Sequence, residues 1–420
     1  MKLYPHQSEA LELIKDKNRC AIYYDMGLGK TFIGSEKMTQ LGSKMNLVIC
    51  QKSKIDDWVD HFQKNYFVMV FNLSNRKQYK NFFSQVPPRM SIGIINYDLV
   101  WRRPELLRLK NFTLMLDESS LITNRTAKRS KFILKLDPDN VILLSGTPTA
   151  GKYEKLWSQL KLLGWNIDEE TYFKSYVDYK WVPTPDGHFE RVTTGYKNVE
   201  HLKKKLGKFG TIFKKTEEVL DLPTQMEQII SVNSSSQYKQ FIKKHYVQID
   251  DKELIGDTTL TKILYERQLC GQYSEDKLEA FRDLVESTED RLIVFYNFWE
   301  EFEKLCEIAK EYKRDISVVN GAEKDLSAYN TDPNSITFVQ YQAGAYGLNL
   351  QLANKIVYFT LPLGLGSCDL WEQSKKRIHR IGQEKTCFYY YLLVKNSIEM
   401  WNLDLLRKGK ELTDELFEHG

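Results

Sequence analysis

Apolar residues fall in short runs early in the chain, at 21–24, 47–50, 67–71, 92–96, 114–116 and 141–144, separated by amphipathic stretches. Most runs are four or five residues long and rich in β-branched side chains. That pattern predicts buried strands of a parallel sheet, with helices as the crossovers. The segment 151–290 differs: it is rich in Lys, Glu, Leu and Tyr, with apolar spacing near three and four, as at Leu156, Leu160 and Leu163. It predicts helices, interrupted by the turn Pro183-Thr184-Pro185-Asp186-Gly187. Strand-like runs return at 292–295, 316–319, 336–339, 356–359 and 388–394. The expected fold class is therefore α/β, two lobes with mostly parallel sheets and helical protrusions between them. The first lobe spans 1–222, with a helical protrusion over 151–222, and the second 223–420, with a helical insertion over 235–285.

Composition narrows the class without naming a function. Of 420 residues, 42% are hydrophobic and 28% charged, which excludes a disordered, collagenous or stapled chain. A formal charge of +4 permits nucleic-acid binding without arguing for it. The six cysteines form no Cys-x-x-Cys pair, so reduced, mostly buried thiols are expected. The apolar stretch 356–368 is too short and too broken by Pro362 to cross a bilayer, and the start of the chain lacks a signal-peptide core. The expectation is a soluble cytoplasmic protein. The lysines at 197, 203, 204, 205, 208, 214 and 215 form a basic run, read either as a solvated helix face or as a contact for a polyanion.

Candidate chemistry begins after the run at 21–24. Asp25-Met26-Gly27-Leu28-Gly29-Lys30-Thr31 leads into an amphipathic stretch, the strand–turn–helix context of a phosphate-binding loop. Glycines let backbone amides wrap a phosphate, and the helix N-terminus adds a favourable dipole. Lys30 can reach the β- and γ-phosphates and Thr31 can coordinate Mg2+. The strict pattern wants Gly where Tyr24 stands. Leu114-Met115-Leu116-Asp117-Glu118 is an apolar strand ending in two acids: Asp117 can hold Mg2+, and Glu118 can orient or deprotonate a water. Ser145-Gly146-Thr147-Pro148 follows another strand and reads as a sensor between nucleotide and polymer, or simply as a turn. Arg377 and Arg380 are three apart, so on a helix they share a face that can neutralise a triphosphate, or form a basic helix end. The glycine turn at 342–350, with Gly347, fits a loop touching phosphate or ribose. Trp371 is read as core in preference to a base-stacking ring.

Taken together, these motifs resemble, in order and over essentially the whole chain, the Snf-two (Swi/Snf-type) family of superfamily-two helicase-like ATPases. Leu3-Tyr4-Pro5-His6-Gln7 looks like its Q motif, with Gln7 as adenine reader. Asp25 to Thr31 looks like motif I, residues 47–53 with Trp58 and Phe62 like motif Ia, and Ile94-Ile95-Asn96-Tyr97 like motif Ib. Asp117-Glu118 resembles motif II, residues 143–148 motif III, 213–223 the block closing the first lobe, 293–298 motif IV and 342–349 motif V. Arg377-Ile378-His379-Arg380-Ile381-Gly382-Gln383 carries motif VI in its Snf-type wording. Two departures stand out: Ser119-Ser120 replaces the usual Ala-His or Ser-His after motif II, and Tyr24-Asp25 replaces Asp-Glu in motif I. The compactness resembles bacteriophage and prophage members.

The resemblance implies two RecA-like lobes with ATP in the cleft, Mg2+, and translocation along duplex DNA driven by closure. Lys30, Glu118, Arg377 and Arg380 would be catalytic. Gln7, Asp25, Met26, Gly27, Leu28, Gly29, Lys30, Thr31 and Gly347 would bind nucleotide, and Thr31 with Asp117 the metal. By motif, Ser53, Asn96 and Gln342 are DNA-contact candidates; Arg125, Lys128 and Arg129 add a basic patch, although each charge can equally be solvated surface. The expected activity is a DNA-dependent ATPase moving along duplex DNA without sequence preference, as a monomer and away from membranes. Alternatives are a strand-separating helicase, for which the sequence has no obvious pin, and an ATP-regulated DNA-binding module working with a nuclease or a replication or recombination partner.

Overall fold

The computed structural model describes residues 3–84, 89–149, 152–183, 188–219, 222–341, 348–364, 366–380 and 382–417. In the first part of the chain the strands are β1 (Arg19–Tyr24), β2 (Met45–Cys50), β3 (Met69–Asn72), β4 (Ser91–Asn96), β5 (Phe112–Asp117) and β6 (Asn140–Leu144), then the hairpin β7 (Val177–Pro183) and β8 (Phe189–Tyr196), then β9 (Thr211–Lys214). Seven of them form one sheet in the order β3-β4-β2-β5-β6-β1-β9, and every pairing is parallel. All seven therefore end on the same edge, where α/β sheets bind ligands. β2, β4, β5 and β6 are buried along nearly their whole length, which is why they read as unbroken apolar runs. Helices α1 (Pro5–Leu13), α2 (Lys30–Leu41) and α3 (Ile55–Asn65) belong to the same part. Gly34 lets α2 lie close on the sheet: a Cβ there would come within 2.9 Å of Met115 Sδ and 3.1 Å of Leu144 Cδ1.

The second part carries β10 (Gln225–Val232), the hairpin β11 (Tyr246–Ile249) and β12 (Lys252–Ile255), then β13 (Leu292–Tyr296), β14 (Ile316–Val319), β15 (Lys324–Asp325), β16 (Ile336–Gln340), β17 (Lys355–Tyr358) and β18 (Cys387–Val394). Its sheet runs β10-β18-β17-β13-β16-β14-β15, parallel except for β14 with β15. The chain divides into two compact units, Met1–Val219 with Glu411–Gly420, and Leu220–Lys410. The fold class is α/β with two mostly parallel seven-stranded sheets, as the apolar runs indicate.

Two expectations change. The run at 67–71 gives a strand only at Met69–Asn72, and Phe67 is 86% exposed. The stretch 151–290 is not uniformly helical: helices Trp157–Leu162, Glu169–Tyr176 and Val199–Lys208 alternate with the β7–β8 hairpin and β9, and β10 pairs with β18 over eight residues. These strands carry mixed polar sequence because they lie at sheet edges or in an isolated hairpin, so one face stays wet. Residues 184–187 of the expected turn lie outside the described residues. All six cysteines are buried, and none forms a disulfide among the described residues. Trp371 is core at 1% exposure, with the Lys375 ammonium 3.7 Å over its ring.

Candidate functional site

In the first unit, β1 ends at Tyr24 and the chain turns through residues 25–29 into α2. The turn needs left-handed backbone at Gly27 (φ 88°) and at Gly29 (φ 73°), which caps α2. Lys30 and Thr31 open the helix. The Lys30 ammonium donates to the carbonyls of Tyr24 (2.6 Å) and Asp25 (3.1 Å). The Asp25 carboxylate accepts from the Thr216 amide and hydroxyl, both at 3.1 Å, fastening the loop to the chain beyond β9. Gln7, on α1, lies against the same loop: its amide donates to Leu28 O at 3.4 Å, while its oxygen accepts from Tyr4 N at 2.9 Å. A Cβ on Gly29 would meet Gln7 Nε2, the movable end of that side chain, so it is the left-handed φ that favours glycine there.

Asp117 and Glu118 lie at the end of β5, separated from β1 by β6 alone. Asp117 Oδ2 accepts the Trp58 indole N–H at 2.7 Å. Burial pushes the Asp117 carboxyl above the usual carboxylate range, and the Trp58 hydrogen bond and the Lys30 ammonium pull it back. Glu118 adopts φ 60°, and its Oε1 accepts from Ser145 Oγ (3.0 Å) and Ser120 Oγ (3.4 Å). Burial raises its pKa as well, Lys30 opposing and Asp117 reinforcing the rise. Tyr97 OH donates to the carbonyls of both acids, at 3.0 and 3.3 Å. Ser145 Oγ also accepts from Thr147 N at 3.1 Å, and Gly146 lies against Lys30: a Cβ there would be 3.4 Å from Nζ. The unit thus gathers the Lys30 ammonium, the Asp117 and Glu118 carboxylates and the Ser120 and Ser145 hydroxyls around the ends of β1, β5 and β6.

The donors suit a triphosphate and a hard cation. Thr31 offers a hydroxyl and Asp117 a carboxylate, the oxygen ligands Mg2+ takes sparingly alongside substrate phosphates. Among the described residues no cluster of three or more His, Cys, Asp or Glu side chains could hold a metal by itself. The buried Thr147 Oγ1 has no hydrogen-bond partner among the described residues, a demand a polar ligand or water can meet.

Sequence reasoning misses two neighbours of this site. Trp58 reads only as part of a motif, yet it holds Asp117. Gln159 is hidden inside the leucine spacing of helix Trp157–Leu162. Its oxygen accepts from Ser119 Oγ (2.7 Å) and Tyr23 OH (2.8 Å), and its amide donates to Pro148 O (2.7 Å). The available signal is a polar residue among the apolar positions Leu156, Leu160 and Leu163.

The DNA-contact candidates scatter. Ser53 is exposed in a short turn after β2, and Asn96 is buried at the end of β4, accepting from Ser74 Oγ at 3.4 Å. Arg125 pairs with Glu169, Lys128 lies 4.9 Å over the Trp101 ring, and Arg129 donates to Leu121 O at 3.0 Å. Three of the seven lysines of the basic run are paired within the unit: Lys197 with Asp178, Lys203 with Glu200 and Lys214 with Glu9. Gln342 and Gly347 lie outside the described residues.

In the second unit, helix Ser367–Lys375 stops before Arg377. Arg377 and Arg380 therefore do not share a helical face, and that expectation is corrected. The chain is captured in a turn because Ile378 is fully buried and the Gln383 amide donates to the carbonyls of Gln351 (3.2 Å), Ala353 (2.8 Å) and Ile378 (3.2 Å). Gly382 has φ 92°. Arg377 donates to Leu348 O at 3.1 Å, His379 Nε2 lies 2.9 Å from Pro223 O, and burial lowers the Arg380 pKa.

A glycine loop capped by Lys-Thr, with an Asp-Glu strand end two strands away on a parallel sheet, defines a P-loop nucleotide-binding class. The SNF2-related domain family model matches residues 6–275, and the chain belongs to that family. It is 23% identical over 417 residues to an uncharacterized ATP-dependent helicase of Mycoplasma genitalium, covering 89% of this chain and 38% of that protein. It is 20% identical over 429 residues to the Caenorhabditis elegans homolog of SWI/SNF-related matrix-associated actin-dependent regulator of chromatin subfamily A-like protein 1, covering 96% of this chain and 60% of that protein. The chain thus spans less than two thirds of either relative. The Sulfolobus solfataricus SWI2/SNF2 ATPase core in complex with dsDNA aligns with a TM-score of 0.45 at 19% identity, over 100% of this chain and 94% of that one. No described helix is long and apolar enough to cross a membrane.

Proposed function

We propose that this chain is a DNA-dependent ATP hydrolase that moves along duplex DNA. The observation carrying the proposal is the grouping of Lys30, Asp117, Glu118 and Ser145 at the ends of adjacent parallel strands. In this reading the loop 25–29 wraps the phosphates with its amides, and Lys30 exchanges its carbonyl partners for the more strongly accepting β- and γ-phosphate oxygens. Thr31 and Asp117 would hold Mg2+, which supplies charge neutralisation on the transferred phosphoryl group. Glu118, its proton affinity raised by burial, orients the attacking water and accepts its proton. Ser145 and Ser120 fix the carboxylate by donating to one oxygen and leave the other for the water. Gln7 supports the loop and reads adenine. Arg377 and Arg380 are assigned to the charge developing in the transition state.

Duplex DNA as the polymer is supported by membership of the SNF2-related family and by the collinear order of the motifs at 25–31, 117–118 and 377–383. Ser53, Asn96, Gln342, Arg125, Lys128 and Arg129 remain the contact candidates, with phosphate rather than base as the expected partner. The test is steady-state ATP hydrolysis with and without linear duplex DNA. Stimulation is expected; hydrolysis that ignores DNA, or none at all, favours an ATP-regulated binding module instead.

A second reading, strand separation, is favoured by the β7–β8 hairpin. Trp181 and Phe189 on it are 55% and 67% exposed, and the Arg191 guanidinium lies 4.8, 4.6 and 5.3 Å from the ring centres of Phe173, Tyr179 and Trp181. Exposed rings beside a cation suit base stacking. A translocase without strand separation displaces a triplex-forming strand only; release of a strand from a simple duplex supports this second reading.

A further inference from the structure

We propose that Gln159 is a positioning residue that couples the catalytic acid to the Ser-Gly-Thr-Pro loop, so that polymer binding sets the rate of hydrolysis; this rests on the ATPase reading above. The side chain is fully buried. Its three hydrogen bonds end on three different chain segments. Tyr23 lies in β1, just before the phosphate-binding loop; Ser119 directly follows Glu118; Pro148 closes the turn that begins at Ser145. Ser145 itself donates to Glu118 at 3.0 Å. The connections form a closed ring from Glu118 through Ser145, the backbone to Pro148, Gln159 and Ser119 back to Glu118.

A primary amide completes this ring without a titratable group. Pro148 O can only accept, so the nitrogen must face it, and the oxygen then receives the two hydroxyls. A carboxylate keeps the two accepted bonds and loses the donated one. An apolar side chain loses all three. Because the ring is buried, its bonds act in a low dielectric, and loss of one member disturbs the others. The link from the acid loop to the Ser-Gly-Thr-Pro loop thus runs through Ser119 and Gln159.

The test compares Gln159→Met, similar in length without the hydrogen bonds, and Gln159→Glu, which lacks only the donor to Pro148, with the unaltered chain. ATP turnover is measured with and without linear duplex DNA, KM for ATP is determined separately, and folding is followed by thermal melting. KM should stay within about two-fold, while turnover with DNA falls about ten-fold further than turnover without it in Gln159→Met, an effect of the size that coupling networks carry. Gln159→Glu should lose stimulation too at a pH where its carboxyl is ionised, because the carboxylate lacks the bond to the loop. Unchanged stimulation in a folded variant overturns the coupling. An equal fall with and without DNA overturns it as well, making Gln159 a scaffold for the acids. If Gln159→Met melts below the assay temperature, Ser119→Ala opens the ring from the other side and the same ratio decides. If the unaltered chain hydrolyses no ATP, the ATPase reading fails, independently of these outcomes.

Discussion

Replacing Trp58 by Phe isolates one hydrogen bond to the proposed metal ligand. The indole donates to Asp117 Oδ2 at 2.7 Å, and the ring stacks on Phe62 at 5.5 Å. Phenylalanine keeps an aromatic ring in the stack and removes the donor. A hydrogen bond to a charged group contributes about 1.5–3 kcal/mol, and here it favours the ionised carboxylate, because burial already pushes the Asp117 pKa up and the indole opposes that push. Without the indole the pKa rises further. Asp117 must be ionised to hold Mg2+, so the acid limb of the turnover–pH profile should move to higher pH. Apparent Mg2+ affinity should fall about 10–100-fold, the usual effect of removing a partner that orients a metal ligand. The assay is ATP turnover against pH at saturating Mg2+, then a Mg2+ titration at alkaline pH, both below the melting temperature of the variant. An acid limb and a Mg2+ requirement identical to those of the unaltered chain would refute the role given to Trp58 and weaken that given to Asp117.

Two further predictions concern the charged groups. Burial holds the Glu118 pKa above its unfolded value, so the folded chain binds more protons and stability falls as pH rises through the unfolded and then the folded pKa. Glu118→Gln should abolish turnover yet raise the melting temperature at neutral pH by about 2–4 °C, the shift that about 1 kcal/mol produces in a domain of this size; the gain should vanish in acid, and a lower melting temperature at neutral pH would contradict it. Arg380→Ala should cut turnover about a thousand-fold or more while weakening ATP binding less, because the assigned contact strengthens in the transition state; equal losses in binding and turnover would argue against it.

What could be read from sequence follows burial and locality. β2, β4, β5 and β6 are enclosed by helices and neighbouring strands, so their residues are apolar almost without interruption. β10 is largely exposed along its length, and its sequence Gln-Met-Glu-Gln-Ile-Ile-Ser-Val gives no such signal. Lys30 and Thr31, like Asp117 and Glu118, are adjacent in sequence and legible as motifs. Trp58 and Gln159 reach the site across 59 and 40 residues of chain, and contacts of that kind exist only once the sheet has formed. The arginine spacing misled because periodicity cannot register a buried Gln383 amide that holds the chain in a turn beyond the helix end at Lys375.

The central claim is that the loop ending in Lys30 binds a triphosphate whose hydrolysis responds to DNA. Turnover by the purified chain and by its Lys30→Ala variant, each with duplex DNA present, tests it most directly. Vigorous hydrolysis is expected from the former, and none above background from a variant that still melts cooperatively. Undiminished hydrolysis by folded Lys30→Ala would contradict the claim.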